Sequence, residues 1–302
     1  MNGLLIIDKP VGLTSHDIVS RVRRALRTKR VGHTGTLDPF ATGVVVLLIG
    51  QATRLARFLD KDEKEYEATI RFGFATDSGD LTGVPTERSP SSDDEIGKII
   101  EATEWDSILA GFQGNIEQTP PMYSAKKIAG KKLYEHARKG ETVERKPIKI
   151  SIHRLTITSP RPPALDYPSI PISVTCSAGT YIRTLAEDIG TAAGIPAHLT
   201  ALRRIRAGRF SLYDSVSLDT VMESEDPAAY LRPMGDAVSH LSRFVVPDER
   251  IVKTRSGLPT RILSESFIAG ESIRIESTAG ELIGIGEYDE AENIVQPKVV
   301  LV

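Results

Sequence analysis

The stretch 31-VGHTGTLDPFATGVVVLLIG-50 changes character halfway along. Its first half is rich in Gly, Thr and His and holds one acid, Asp38, followed by Pro39. Its second half, 44-VVVLLIG-50, is an unbroken apolar run, the pattern of a strand buried on both faces. Gly32 and Gly35 permit a tight or left-handed turn, and Pro39 restricts Asp38 to extended backbone. The loop therefore fixes where the Asp38 carboxylate points. An Asp before Pro commonly does no more than cap a turn, and the loop alone leaves that reading open. A phosphate-binding loop fits less well, since there is no G-x-x-x-x-G-K-[ST] pattern and no Lys in the loop.

Outward from this stretch, 3-GLLIIDKP-10 predicts a short strand stopped by Pro10. Thr14 and Asp17 have capping-box spacing. Ile18, Val19, Val22, Ala25 and Leu26 then mark one face of a helix, with Arg residues mostly opposite. A short helix is expected over 53–59, a half-buried strand over 66–73, turn chemistry over 77–83 and a polar helix over 93–102. A short helix over 131–139 should close at Gly140, and a longer one over 180–190 should end at Gly190. Segments 148–157 and 170–176 read as strands separated by a Pro-rich loop, 160–168, and 199–212 alternates again. From 245 onward the chain turns acidic and breaks into short strands and Gly turns, which places a boundary near 240–245. Many strands without a βαβ rhythm predict an α+β fold.

The 302 residues suffice for one large domain or a large one plus a small one. No stretch approaches the length of a membrane span, and the N-terminus lacks the basic flank of a signal peptide. Cys176 is the sole cysteine, so an intrachain disulfide and a Cys-based zinc site are excluded. A reducing cytoplasm is the expected location. The six His are scattered, and no metal is expected. The net charge of −2 hides local asymmetry: 21-RVRRALRTKR-30, 126–149 and 203-RRIRAGR-209 are basic, whereas acids gather in 60–67, 91–96, 223–226 and 287–292. One such run is commonly just a solvated face; three separate basic runs point toward an anionic polymer.

GHTGTLDPFATG followed by an apolar strand resembles the catalytic motif of the TruB family of pseudouridine synthases, which act on the T loop of tRNA. Four further segments resemble that family in order and spacing: 8-DKPVGLTSHD-17; 64-KEYEATIRFG-73 with 77-DSGD-80; 119-TPPMYSAKKIAGKKLYEHARKG-140; and 177-SAGTYIRTLAEDIG-190 with 202-LRR-204. The resemblance spans about residues 3–212, and the tail from 245 is similar, more weakly, to the small PUA-type RNA-binding domain of bacterial members. It implies a mixed, largely antiparallel sheet with flanking helices over 1–240, an RNA-clamping insertion at 118–147 and a β-rich PUA-like domain at 245–302.

The resemblance also implies roles. Asp38 would be the nucleophile, Arg183 its bidentate partner, and Tyr66 the aromatic that stacks on the target base and takes part in proton transfer. Tyr181 would be a second pocket aromatic, and Leu202 an apolar wall. Lys9 would support the motif loop or bind a phosphate, His33 would fill the space left by the extruded base, and Asp80 would be a pocket or RNA contact, with a turn cap as its rival. Lys126, Lys127, Lys131, Lys132 and Arg203 would contact RNA. The implied reaction moves uracil from N1 to C5 attachment in the T stem-loop of tRNA, at uridine 55, after base flipping. It needs no cofactor, and a monomer is expected. Two other readings use the same surfaces: a non-catalytic tRNA folding chaperone, which would have no need of Asp38, and a base-excising glycosylase, which would release free uracil.

Overall fold

The computed structural model describes residues 1–124, 126–128, 130–159, 167–262 and 267–301. The Pro-rich loop expected at 160–168 lies largely outside them. A ten-stranded sheet forms the larger part. Its strands in chain order are β1 Gly3–Lys9, β2 Val31–Thr34, β3 Thr42–Ile49, β4 Lys64–Phe72, β5 Gly114–Gln118, β6 Ile148–Ile157, β7 Ser169–Cys176, β8 Ala197–Ala207, β9 Phe210–Ser211 and β10 Val216–Ser217. They lie in the order β10-β1-β3-β8-β4-β7-β6-β5, with β2 added to β3 and β9 to β8. Only β1–β10 and β3–β8 pair in parallel. The expected mixed, largely antiparallel α+β sheet is what forms.

The sheet is buried on both sides. Val45, Leu47 and Ile49 of β3 enter one core with Ile18, Val19 and Val22 of helix α1 (Ser15–Ala25). Val44, Val46 and Leu48 alternate onto the opposite face and pack against Ala52 and Leu55 of the 3-10 helix Gly50–Phe58. The apolar run of β3 thus serves two cores at once. Helix α1 begins as its sequence predicts, with Thr14 and Asp17 closing a reciprocal capping box.

Helices α2 (Asp93–Ala102) and α3 (Trp105–Ala110) precede β5, and α4 (Leu133–Ala137) follows a ribbon of Lys127–Ile128 and Lys131–Lys132. The helix expected over 131–139 is therefore shorter, because its first two residues pair as strand. Helix α5 (Ile182–Ala192) runs past Gly190, where a Cβ would stand 2.6 Å from that of Ala197. Gly190 gives β8 close approach to α5 rather than ending the helix.

A second sheet, of five strands, follows: β11 Ser242–Val245, β12 Thr260–Arg261, β13 Ser272–Glu276, β14 Leu282–Asp289 and β15 Ile294–Val300, in the order β11-β13-β14-β15-β12. Its first strand starts a few residues ahead of the expected 245. Phe244, Ile273, Ile275 and Ile283 form a core of their own, while Leu282, Ile285, Val299 and Leu301 join Leu4, Ile6 and Val44 beneath the large sheet.

Candidate active site

Asp38 sits in the loop between β2 and β3, and four contacts hold that loop. Ser15 at the start of α1 accepts from the Leu37 amide (2.8 Å) through Oγ. The Gly12 amide donates to the Pro39 carbonyl (2.7 Å), and Lys9 Nζ reaches the same carbonyl at 3.3 Å. Arg204 Nη2 donates to the Gly35 carbonyl at 3.1 Å. Gly35 has φ of +77°, a conformation other residues adopt at a cost. The Asp38 side chain, a third exposed, faces a pocket of about 260 Å³ lined by Thr36, Lys64, Tyr66, Tyr181, Arg183 and Leu202, among others. That volume lies below the roughly 300–1,000 Å³ typical of drug-sized ligands.

Arg183 stands at the start of α5 and grips Asp38 with two nitrogens: Nε is 3.0 Å from Oδ2, and Nη2 is 3.3 Å from Oδ1. Its remaining donors go to the carbonyls of Ser78 and Tyr123, each at 2.6 Å. Desolvation pushes the Asp38 carboxyl above its ordinary value, and the Arg183 charge opposes this. The guanidinium thereby favours the ionised form where burial alone would oppose it. Tyr66 and Tyr181 are both raised by burial, so both hydroxyls remain protonated at neutral pH. The Arg204 charge opposes that rise at Tyr66. Tyr181 is fixed from behind by Gln118, which accepts from its amide (2.8 Å) and donates to its carbonyl (3.0 Å). Leu202, 7% exposed, supplies the apolar wall.

The fold thus brings Asp38, Tyr66, Arg183, Tyr181 and Leu202 into one pocket. Other expected residues lie elsewhere or act differently. Lys9 is fully buried, and its ammonium donates to the carbonyls of Pro10, Leu13 and Pro39, which leaves no donor for a phosphate; it braces the motif loop. Burial lowers it to about 8. Asp80 is 4% exposed and accepts from Ser78 and from the amide and hydroxyl of Thr82; it caps the turn and stands behind Arg183 at 3.6 Å. His33 lies on β2 opposite Leu47, outside the pocket lining, and its Nδ1 is buried without a partner.

Arg203 is engaged by both Asp8 oxygens, at 3.1 and 2.7 Å. Arg206 pairs with Glu65 at 3.1 Å, so 203–209 is not a free cationic strip. Lys126, Lys131 and Lys132 lie on or beside the ribbon; Lys131 is exposed, and Lys132 lies 5.4 Å over the Tyr134 ring. Lys127 is paired with Lys132 along the backbone.

Sequence reasoning missed two residues. Arg204, only 1% exposed, lines the pocket and ties β3 to the motif loop through the carbonyls of Val44 (2.7 Å) and Gly35. Lys64, 6% exposed, lines the pocket floor and donates to the Asp62 carbonyl. Their signal was positional: each is two residues, along an alternating strand, from a residue that faces the pocket.

Comparison with known proteins agrees with this geometry. Residues 23–182 match the family described as TruB family pseudouridylate synthase (N terminal domain), and residues 183–253 match the tRNA pseudouridylate synthase B C-terminal domain. A tRNA pseudouridine synthase B from Bacillus pumilus (strain SAFR-032) is 39% identical over 307 residues, covering 100% of this chain and 98% of the relative. One from Bordetella avium (strain 197N) is 46% identical over 236 residues, covering 78% and 93%. A chain from an H/ACA RNP bound to a substrate RNA containing 2′-deoxyuridine shares the fold, with a TM-score of 0.71, 22% identity, and coverage of 99% of this chain and 85% of that one. This chain belongs to the TruB family of pseudouridylate synthases.

Proposed function

We propose that this enzyme isomerises uridine 55 in the T stem-loop of tRNA to pseudouridine, with Asp38 as its nucleophile. The observation that carries this reading is the two-nitrogen grip of Arg183 on Asp38 in a pocket lined by Tyr66, Tyr181 and Leu202. A uridine inside a folded loop must leave its stack to enter such a pocket, at a cost of a few kcal/mol. Tyr66 then offers a ring to the base, and Leu202 keeps water from the cleaved intermediate.

The ionised Asp38 attacks at the junction of base and sugar. The N1–C1′ bond breaks, the detached uracil turns within the pocket, and a C5–C1′ bond forms as the bond to Asp38 breaks and its carboxylate is regenerated. The C5 proton is then lost and N1 takes one up, which restores the aromatic base. No electrons enter or leave, so the sequence of steps balances without an oxidant or reductant. Arg183 holds both carboxylate oxygens through the cycle, and the Tyr66 hydroxyl, raised by burial, stays available as a proton carrier. The Lys126–Lys132 ribbon and α4 are read as the clamp on the loop backbone, and the second sheet as a PUA-like RNA-binding unit. Among the described residues, no helix is long and apolar enough to cross a membrane. The reading places a monomer in the cytoplasm.

The test is tritium release from tRNA carrying 5-³H-uridine. Release is expected from the parent chain, from neither the Asp38→Asn variant nor a tRNA with cytidine at position 55. A parent that binds tRNA without releasing tritium would favour the chaperone reading. Appearance of free uracil would favour base excision.

A further inference from the structure

The three basic runs meet different fates. In 203–209, Arg203 is paired with Asp8, Arg204 is buried on carbonyls, and Arg206 is paired with Glu63 and Glu65. The run 126–149 starts on the ribbon and α4, two residues after Ser124 of the pocket lining, and ends in β6. The run 21–30 contains no acid, and the acid whose charge reaches it is Asp17, one turn before Arg21 on α1. Arg21, Arg24, Arg27, Lys29 and Arg30 are all exposed. Among the described residues, none of them forms an ion pair.

The sheet edge adds to this charge. Strand β2 pairs only with β3, with α1 packed on one face of the sheet and the 3-10 helix Gly50–Phe58 on the other. Arg30 spans the edge: its carbonyl accepts from the Gly50 amide (2.7 Å), and its Nε donates to Thr53 Oγ1 (2.9 Å). In a 3-10 helix, side chains three apart eclipse. Arg54 and Arg57 therefore stand one above the other and both are exposed; Arg54 Nη1 donates to the Val300 carbonyl, and among the described residues neither forms an ion pair. Cations from the end of α1, from the turn after it and from the 3-10 helix thus wrap one edge, in a chain whose net charge is −2.

Strand β2 runs from this edge to Gly35 and Thr36 of the pocket. At about 3.3 Å per residue, the five steps from Arg30 to Gly35 put the edge roughly 15 Å from the reacting base. That is too far to touch the base and near enough to meet the strand that flanks it. The planar guanidinium fork suits phosphate oxygens. A membrane surface fits less well, because the apolar face of α1 is spent in the core and nothing remains to insert into lipid.

We infer that the edge formed by the end of α1, the turn at Lys29–Arg30 and the Arg54–Arg57 face is a second RNA-docking surface, which grips backbone phosphates flanking the modified loop. It rests on the reading of tRNA as substrate. It also moves part of the RNA footprint away from 203–209, to the opposite end of the motif loop.

The test is the salt dependence of binding to an unmodified tRNA transcript, read by fluorescence anisotropy. The variant is Arg27→Gln/Lys29→Gln/Arg57→Gln, three exposed side chains whose loss should leave the thermal midpoint unchanged. Each lost phosphate contact removes about 0.7–0.9 from the slope of log K against log salt. The variant should bind more weakly at low salt with a slope shallower by about 2–3, so quadrupling the salt costs it about thirtyfold less affinity than it costs the parent. A parent-like affinity and slope overturn the inference. So does loss of binding to anionic vesicles with tRNA binding unaltered. A parent that releases no tritium while the slope still drops refutes the proposed reaction and leaves this surface standing.

Discussion

Arg183 and Asp38 face each other as a fork on a carboxylate, with Nε 3.0 Å from Oδ2 and Nη2 3.3 Å from Oδ1. The same guanidinium holds the Ser78 and Tyr123 carbonyls, so one side chain fixes the Asp38 carboxylate, the turn behind it and the start of the 118–147 segment. A Lys at this position keeps the charge and loses the fork. Arg183→Lys is expected to lower the single-turnover rate about a hundredfold or more while the chain stays folded. Rapid-quench measurement at saturating tRNA checks this, and a rate within a few-fold of the parent would show that charge alone suffices.

The acid limb of activity follows from the same pair. Burial raises the Asp38 carboxyl above its ordinary 3.8, and Arg183 holds it back. On the proposed mechanism the ionised form is the reactive one, so kcat/KM should be retained at neutral pH and decline as pH falls through the raised Asp38 value. Removing the cation lets desolvation act unopposed. The limb of Arg183→Gln should therefore lie at higher pH than that of the parent. A limb that stays in place would mean that another group controls it.

Two glycines make opposite predictions. At Gly43, φ is +102° and an added Cβ would fall 2.2 Å from the Arg204 carbonyl oxygen, where β3 meets β8. Gly43→Ala should destabilise by about 3 kcal/mol or more, since neither backbone can yield without parting the two strands. At Gly97, inside α2, an added Cβ meets nothing within 4 Å. Gly97→Ala should stabilise by about 0.5–1 kcal/mol. Urea denaturation of both variants measures the contrast.

Cys176 ends β7 beneath the pocket, fully buried, and burial pushes its thiol up to about 11. The thiolate is the reactive form. Iodoacetamide at pH 8 should leave the folded chain unlabelled and modify it only once urea unfolds it. Rapid labelling of the native chain would contradict the packing described for β7.

Much of this was legible in the sequence, for identifiable reasons. The capping box at Thr14, the two-sided burial of β3 and the joining of Asp38, Tyr66, Arg183 and Leu202 in one pocket are all local spacings or motif spacings. The fate of the arginine pair at 203 and 204 was not. Read as a run, they form one cationic strip; on a strand they point to opposite faces. Arg203 turns outward to Asp8, and Arg204 turns inward to become one of the largest fully buried side chains. The sequence left Lys9 with two roles for a related reason: nothing local shows that the Pro39 carbonyl, thirty residues away, will be one of its three acceptors, which favours the loop-supporting role.

The floor of β3 is shared property. Leu282, Ile285, Val299 and Leu301 close the side of the strand that Val44, Val46 and Leu48 present. The strand that carries the Asp38 loop is thus wedged between α1 above and the C-terminal sheet below. A chain cut near residue 240 would not simply lose an appendage; it would open an oily seam under the strand that carries the Asp38 loop. Heat should accordingly dismantle both sheets in one event, and the tail sets the rigidity of the chemistry as well as whatever RNA it touches.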